Sequence, residues 1–279
     1  MAKITLKKTI KIVSFFAAVA AFAYFQNKSI VVSKYVIENN KLPEYFDGMK
    51  IVHVSDLQDG EFGENNSRLI SKIKSQKPDI IVISGDIIDC HRTNIENSVS
   101  FAKCLAELCP VYYVCGNHEG ASGVYPVLKK FLEDVGVIVL ENESCYIDSE
   151  EKVRITGIMD PYFKYTYTPE EVLTTAMEED KDALNIVLCH RPELFDSYVK
   201  SGADIVFTGH AHGGQIRLPF IGGLFAPNQG ILPKYTSGVH EEKGTSMVVS
   251  RGLGNSVFPL RVFNRPEVVV VELKTKAGD

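Results

Sequence analysis

The chain has 279 residues, 45% of them hydrophobic, which is enough for one large domain or two small ones with a full core. Its net charge of -5 with neutral histidines, and the lack of a long Lys/Arg cluster in the body of the chain, argue against nucleic acid as a partner. No repeat with a period of roughly 20 to 50 residues and no low-complexity block occurs, which excludes solenoid and disordered architectures.

At the N-terminus, Lys3, Lys7, Lys8 and Lys11 precede an uncharged apolar run from Ile12 to Phe25. As a helix that run would span roughly 21 Å, short of the ~30 Å hydrocarbon core unless it extends to Ile10 with Lys11 reaching back to the headgroups. Residues 1–26 are therefore expected to be a membrane anchor or a signal segment. Ala21-Phe22-Ala23 offers a small-x-small cleavage pattern, and a soluble amphipathic helix is the remaining alternative. Positive charge before the apolar run puts the rest of the chain outside the cytoplasm: anchored if uncleaved, secreted or associated with the cell wall if cleaved. Residues 27–47 read as a polar connector and 48–279 as the globular domain.

Within that domain short apolar runs alternate with amphipathic ones. Strands are expected at Lys50–Ser55, Asp79–Ser84 and Val111–Val114, with helices at Asn66–Gln76, Asn94–Leu108 and Tyr125–Val135. A patch of shorter strands comes next at Val137–Leu140, Ser144–Ile147 and Val153–Ile158. The alternation then resumes with a helix at Pro169–Lys181, a strand at Asn185–Leu188, a helix at Pro192–Lys200 and a strand at Asp204–Phe207. Continuous Val/Ile runs separated by helices indicate largely parallel sheet covered on both faces, hence an α/β domain. Further strands at Ser246–Ser250 and Val268–Leu273 suggest a second sheet packed on the first. The six cysteines lie in apolar elements without a CxxC pair and read as packed thiols.

Five strands end in polar residues: Asp56, Asp86, Asn117 with His118, His190, and His210 with His212. In open parallel sheets sites form beyond the carboxyl ends of the strands, so these tips should converge. Two carboxylates, an amide oxygen and at least three imidazoles suit borderline divalent metals and exceed what one tetrahedral ion takes. Two ions roughly 3.5 to 4 Å apart, bridged by a carboxylate and a hydroxide, would supply both nucleophile and charge stabilisation for attack on phosphorus. Any one such residue is ordinarily a loop cap; five tips together are not.

The ordered series Asp56-Leu57-Gln58, Gly85-Asp86, Gly116-Asn117-His118-Glu119, His190 and Gly209-His210-Ala211-His212 resembles the calcineurin-like metallophosphoesterases over about residues 48 to 273. It is most similar to the bacterial, membrane-anchored branch that resembles UDP-2,3-diacylglucosamine pyrophosphatase-type phosphohydrolases. The resemblance implies a four-layer α-β-β-α sandwich and two divalent ions, manganese first, with zinc, iron or magnesium as alternatives. It implies that Asp86 bridges the ions, that Asp56 and His212 hold one, and that Asn117, His190 and His210 hold the other. His118 would be a proton donor or electrostatic partner and Glu119 a loop-organising residue.

The chain departs from the family's Asp-x-His by placing Gln58 where the histidine stands. An amide oxygen is a harder and weaker ligand than imidazole, so the first position is expected to be weaker and to favour Mn²⁺ or Mg²⁺ over Zn²⁺. Either Gln58 ligates, or Asp59 or water takes its place. His53 faces away from Asp56 in the strand and reads as structural. Arg92 and Arg251 are candidate substrate-binding residues because guanidinium suits phosphate, while His240, among Glu241, Glu242 and Lys243, reads as a solvated loop. Residues 218 to 235, LPFIGGLFAPNQGILPKY, are unusually apolar for a Gly/Pro-rich loop and serve either as a lip for a lipid-like substrate or bilayer, or as simple core cover.

The expected activity is dinuclear metal-dependent hydrolysis of a phosphoester, phosphodiester or pyrophosphate bond in a small-molecule, nucleotide-linked or lipid-linked substrate. The alternative is a catalytically weakened metal-binding or ligand-sensing module, because of Gln58.

Overall fold

The computed structural model describes residues 2–164, 167–255 and 258–276; the end of the expected domain, 277–279, lies outside the described residues. The chain opens with α1 (Ala2–Lys28), in which Lys7–Lys28 is long and apolar enough to cross a membrane or to act as a signal sequence. Those 22 residues reach about 33 Å. The helix outruns the Ile12–Phe25 stretch because no Gly or Pro interrupts it between Ala2 and Lys28.

The connector expected over 27–47 is corrected by the structure. Residues Val31–Asn39 form β1, which runs parallel to the strand Glu267–Thr275 along its whole length. As an edge strand it buries only Ile37, and its apolar residues are broken up by Ser33, Lys34 and Glu38, so no two-residue period betrays it.

Next come β2 (Lys50–Val54), β3 (Ile80–Ile83), β4 (Val111–Tyr113) and β5 (Val137–Val139), mutually parallel neighbours. They are linked by α2 (Ser67–Lys74), α3 (Ile95–Ala106), and the pair α4 (Asn117–Ser122) and α5 (Tyr125–Asp134). The second half contains β6 (Glu143–Tyr146), β7 (Val153–Ile158), α6 (Pro169–Glu179), β8 (Leu184–Cys189), α7 (Phe195–Ser201) and β9 (Ile205–Thr208). Two small hairpins, β10 (Arg217–Leu218) with β11 (Gly222–Gly223) and β12 (Phe225–Ala226) with β13 (Gly230–Ile231), precede β14 (Gly238–Glu242), β15 (Thr245–Val249) and β16 (Glu267–Thr275). His240, expected in a loop, instead pairs with Met247 in the edge strand β14 and packs its ring on Tyr235.

One sheet has the order β1-β16-β2-β3-β4-β5 and the other β14-β15-β9-β8-β7-β6. Pairing is parallel except where β16 meets β2 and at the edge strands β14 and β6. Alternation along the strands sorts side chains into three apolar layers. Val52, Val54, Ile81 and Ile83 face α2, α3 and α5, while Ile51, Ile80 and Val82 meet Ile186, Leu188, Ile205 and Phe207 between the sheets. Val187, Cys189 and Val206 face α6 and α7. Three interfaces make four layers, α-β-β-α, and both sheets deliver their carboxyl ends to one rim.

Candidate metal centre at the strand tips

The strand ends share an unusual backbone. Asp56 (φ 52), Gln58 (φ 46), Asp86 (φ 53), His210 (φ 63) and His212 (φ 45) all sit in the left-handed region. Such conformations cost about 1–3 kcal/mol each, against a total stability of about 5–15 kcal/mol, and they cluster where function requires them. Two glycines make room for them: a Cβ on Gly116 would strike the Asp86 carboxylate, and one on Gly209 would strike Ser55 and Asp56.

Around these tips two groups of potential ligand atoms share one carboxylate. Asp86 with His190 and His210 forms one, and Asp86 with Asp56 and His212 forms the other; all five residues are buried. Asp86 Oδ2 lies 3.1 Å from His190 Nε2, and Asp56 Oδ1 lies 3.3 Å from His212 Nε2. Asn117 opens α4 directly after Gly116, with its Oδ1 buried and without a hydrogen-bond partner among the described residues. Gln58 joins the set differently. Its amide Nε2 stands 3.4 Å from Asp86 Oδ2 and 3.2 Å from His212 Nε2, while its Oε1 is buried and unpartnered among the described residues. Asp56, Gln58, Asp86, His190, His210 and His212 are thus brought together, and Asn117 follows Gly116, which packs against Asp86.

Charge in this cluster is one-sided. Burial alone would push the His190 imidazolium down, but Asp86, Asp56 and Asp160 together outweigh it and push it up to about 10. Burial would likewise push the Asp86 carboxyl up, yet the His190 and His118 imidazoles and the backbone N–H of His118 hold it well below the usual carboxylate range. His210 and His212 are held down, chiefly by burial. A potential that retains a proton on His190 also favours a cation, and low-lying imidazoles are available as neutral ligands. The orphaned Asn117 Oδ1, with Gln58 Oε1 once a flip of the amide turns its oxygen toward the cluster in place of Nε2, completes a mixed oxygen and nitrogen donor set that fits divalent metals.

Glu119 organises the loop. Its carboxylate accepts from the N–H groups of Asp86 and Ile87 (both 2.8 Å), Ile88 (3.2 Å) and Gly116 (2.7 Å), tying the β3 tip to the β4 tip. Burial and then the charge of Asp86 hold its carboxyl above the ordinary range. The Cys90 N–H donates to His118 Nδ1 at 3.1 Å, so the His118 proton belongs on Nε2, which faces Asp86 Oδ2 at 3.9 Å.

Sequence reasoning missed Arg191 and Asp160. The Arg191 fork binds Asp160 through Nε (2.5 Å) and Nη2 (2.9 Å), and its Nη1 lies 2.7 Å from His210 Nε2. His190 is fixed through Nδ1, 2.7 Å from the Ser84 carbonyl. The Ser84 carbonyl, an acceptor for His190 Nδ1–H, is the kind of partner that orients a metal-binding imidazole, whereas Arg191, having donors only, meets His210 Nε2 at its lone pair. Only the adjacency of Arg191 to His190 could have hinted at this.

The remaining candidates separate. Arg251 is engaged elsewhere: its guanidinium is paired with Glu267 at 2.7 Å, tying the end of β15 to β16. Arg92 is bound to Asp89 at 2.9 Å but stays largely exposed, and with Gln58, Asp59, Lys28 and Asn255 it lines a 280 Å³ cleft. Asp59, a possible stand-in for Gln58, is instead engaged with the N–H groups of Asp89 and Asn94 and the Ser98 hydroxyl. His53 lies 2.7 Å from Ser84 Oγ and packs on Phe207, and burial pushes it down to about 3, as befits a neutral core residue. A larger cleft of 780 Å³ beside α6 contains none of the cluster residues, and its Arg154 is paired with Glu179.

Comparison with known proteins agrees with this arrangement. The family model for calcineurin-like phosphoesterases matches residues 49–214. The chain is 30% identical over 258 residues to the uncharacterized metallophosphoesterase YkuE of Bacillus subtilis (strain 168), covering 90% of this chain and 88% of that one. It is 31% identical over 267 residues to an uncharacterized metallophosphoesterase of Aquifex aeolicus (strain VF5), covering 92% and 97%. Identity is 27% over 230 residues, covering 80% and 82%, to the phosphodiesterase YaeI of Escherichia coli (strain K12). Among solved structures, TT1561 of Thermus thermophilus shares the fold with a TM-score of 0.52 at 14% identity, covering 74% of this chain and 90% of that one.

Proposed function

Because the chain belongs to the calcineurin-like phosphoesterase family and is a metal-dependent phosphoesterase, we propose that it uses two divalent ions to cleave a phosphoester, phosphodiester or pyrophosphate bond in a small-molecule or lipid substrate at a membrane. The observation that carries this reading is Asp86, common to both groups of candidate ligands. Asp56, Gln58, Asp86 and His212 would hold one ion, and Asp86, Asn117, His190 and His210 the other, with Mn²⁺ preferred where the Gln58 amide turns its oxygen to the first. Metal ions bound there supply Lewis acidity toward a phosphoryl oxygen and lower the pKa of water. His118, with its proton on Nε2, is placed to donate to an oxygen of the substrate phosphate. Arg92, on the cleft beside Gln58, offers guanidinium to the substrate's polar end. Helix α1 anchors the domain, and the domain lies outside the cytoplasm.

A second reading rests on Gln58. With its amide nitrogen directed at Asp86 and His212, the first position is occupied by a hydrogen-bond donor, as suits a weakened metal-binding or ligand-sensing module. The test is turnover of an aryl phosphodiester and monoester by the full chain with Mn²⁺, Mg²⁺, Zn²⁺ or chelator, alongside metal content. Two ions per chain and chelator-sensitive turnover restored by Mn²⁺ are expected; one ion and no turnover in folded protein would favour the second reading.

A further inference from the structure

Outside the cluster, the least explained surface is a group of large apolar side chains held away from the core. Phe220 is fully exposed, and Ile221, Phe225, Ile231, Leu232 and Phe263 are each more than half exposed. Three of them, Phe220 (φ 68), Leu232 (φ 53) and Phe263 (φ 51), stand on left-handed backbone, which bulky residues rarely adopt. An apolar set presented on such backbone is not the incidental scatter of a solvated loop.

One of these side chains touches α1. Phe263 packs edge-on against Phe22 with ring centroids 5.9 Å apart. The neighbouring residue, Val262, bridges to Ile216 and accepts from the Arg217 N–H, so the base of the β10–β11 hairpin is fastened beside the helix. Phe22 lies six residues before Lys28, roughly 9 Å along the axis, so the domain climbs the helix into its apolar stretch. That depth matches the roughly 5–10 Å by which interfacial segments enter a bilayer. At the helix end, Arg265 lies over the Phe25 ring and Lys28 donates to the Glu61 carbonyl, cationic groups suited to the headgroup level.

The inner side of the same loops touches the metal centre. Asn228, in the β12–β13 turn, lies 3.3 Å from His210 Nε2, and Asn264, next to Phe263, donates to the His212 carbonyl at 2.7 Å. Apolar side chains outside and ligand-fixing amides inside thus occupy one short layer.

We propose that the two hairpins and Phe263 form a second membrane contact, a lip that enters the leaflet from which α1 emerges and holds the metal centre at headgroup level. This rests on the reading of α1 as a membrane helix. The occupant is the lipid bilayer itself, because Phe263 packs on a helix of membrane-crossing length and the residue beside it is bridged to the base of the β10–β11 hairpin that carries Phe220. A substrate phosphate would reach the cluster from the plane of the membrane.

The chain has no tryptophan, so single Trp substitutions are unique reporters. The full-length variants Phe16→Trp, Phe220→Trp and Tyr45→Trp would be reconstituted into phosphatidylcholine and phosphatidylglycerol vesicles whose acyl chains carry bromine. Tyr45 precedes the amino end of β2, opposite the rim, and is the water-facing control. Blue-shifted, bromine-quenched emission is expected for Phe16→Trp and Phe220→Trp, and unquenched emission for Tyr45→Trp. Quenching at Phe16→Trp alone would overturn the lip and leave the anchor standing. No quenching at Phe16→Trp would overturn the anchor and the lip with it, and equal quenching at Tyr45→Trp would overturn a contact specific to the lip.

Discussion

At His190 the outer ring nitrogen has a fixed acceptor in the Ser84 carbonyl, and at His210 the outer nitrogen lies between Asn228 Oδ1 and Arg191 Nη1. At His212 the ring itself is unbraced, since its Nδ1 is buried without a hydrogen-bond partner among the described residues, and at Gln58 an amide nitrogen stands between carboxylate and imidazole, while the Asp56 carboxylate is held by the His210 N–H. One position is preorganised for nitrogen donors, and the other combines hard oxygens with an adjustable amide. Two ions at one bridging carboxylate would therefore differ in affinity and in preference.

The broadest test of that contrast removes what the two positions share. Asp86→Ala is expected to abolish hydrolysis and to lower metal content at both positions, read by elemental analysis; retention of two ions would break the scheme. His118→Ala should keep its metals and lose about 10²–10⁴-fold in kcat, the range for a lost general acid. Next in size, Arg191→Ala should lower Tm by leaving the buried Asp160 carboxylate without its ion pair, and Arg191→Lys should not restore it, lacking the fork that binds Asp160 bidentately. The smallest effect is expected from Gln58→His, which should tighten the unbraced position and move its preference toward Zn²⁺; a titration curve identical to that of the natural chain would remove Gln58 as the source of the asymmetry.

The strand tips were legible because β-branched runs ending in Gly plus Asp, Asn or His carry the pattern locally. Four-layer packing follows from the same runs, since continuous apolar strands must be covered on both faces. What escaped was either weakly patterned or non-local. β1 hides because an edge strand needs few buried residues, and α4 because six residues starting at Asn117 show no helical period. Asp160 lies 31 residues from Arg191, and Glu267 lies 16 from Arg251. No spacing in the chain announces either pair; only the folded sheets bring them together. The Arg251 ion pair between the sheets was not legible for that reason.

The position of β16 bears on how the chain matures. This strand lies between β1 and β2, so the first and second strands made have no mutual pairing and must wait for residues 267–275. Until translation reaches Thr275, β1 and β2 each present an unpaired edge, an interval in which strand-swapping and aggregation compete with closure. Such long-range pairing also slows folding, because loop-closure entropy comes before any contact repays it. A stop codon just before Glu267 would leave every metal-site residue in the chain and yet delete an internal strand, so nascent chains of that length belong to chaperones and proteases rather than to the pool of enzyme.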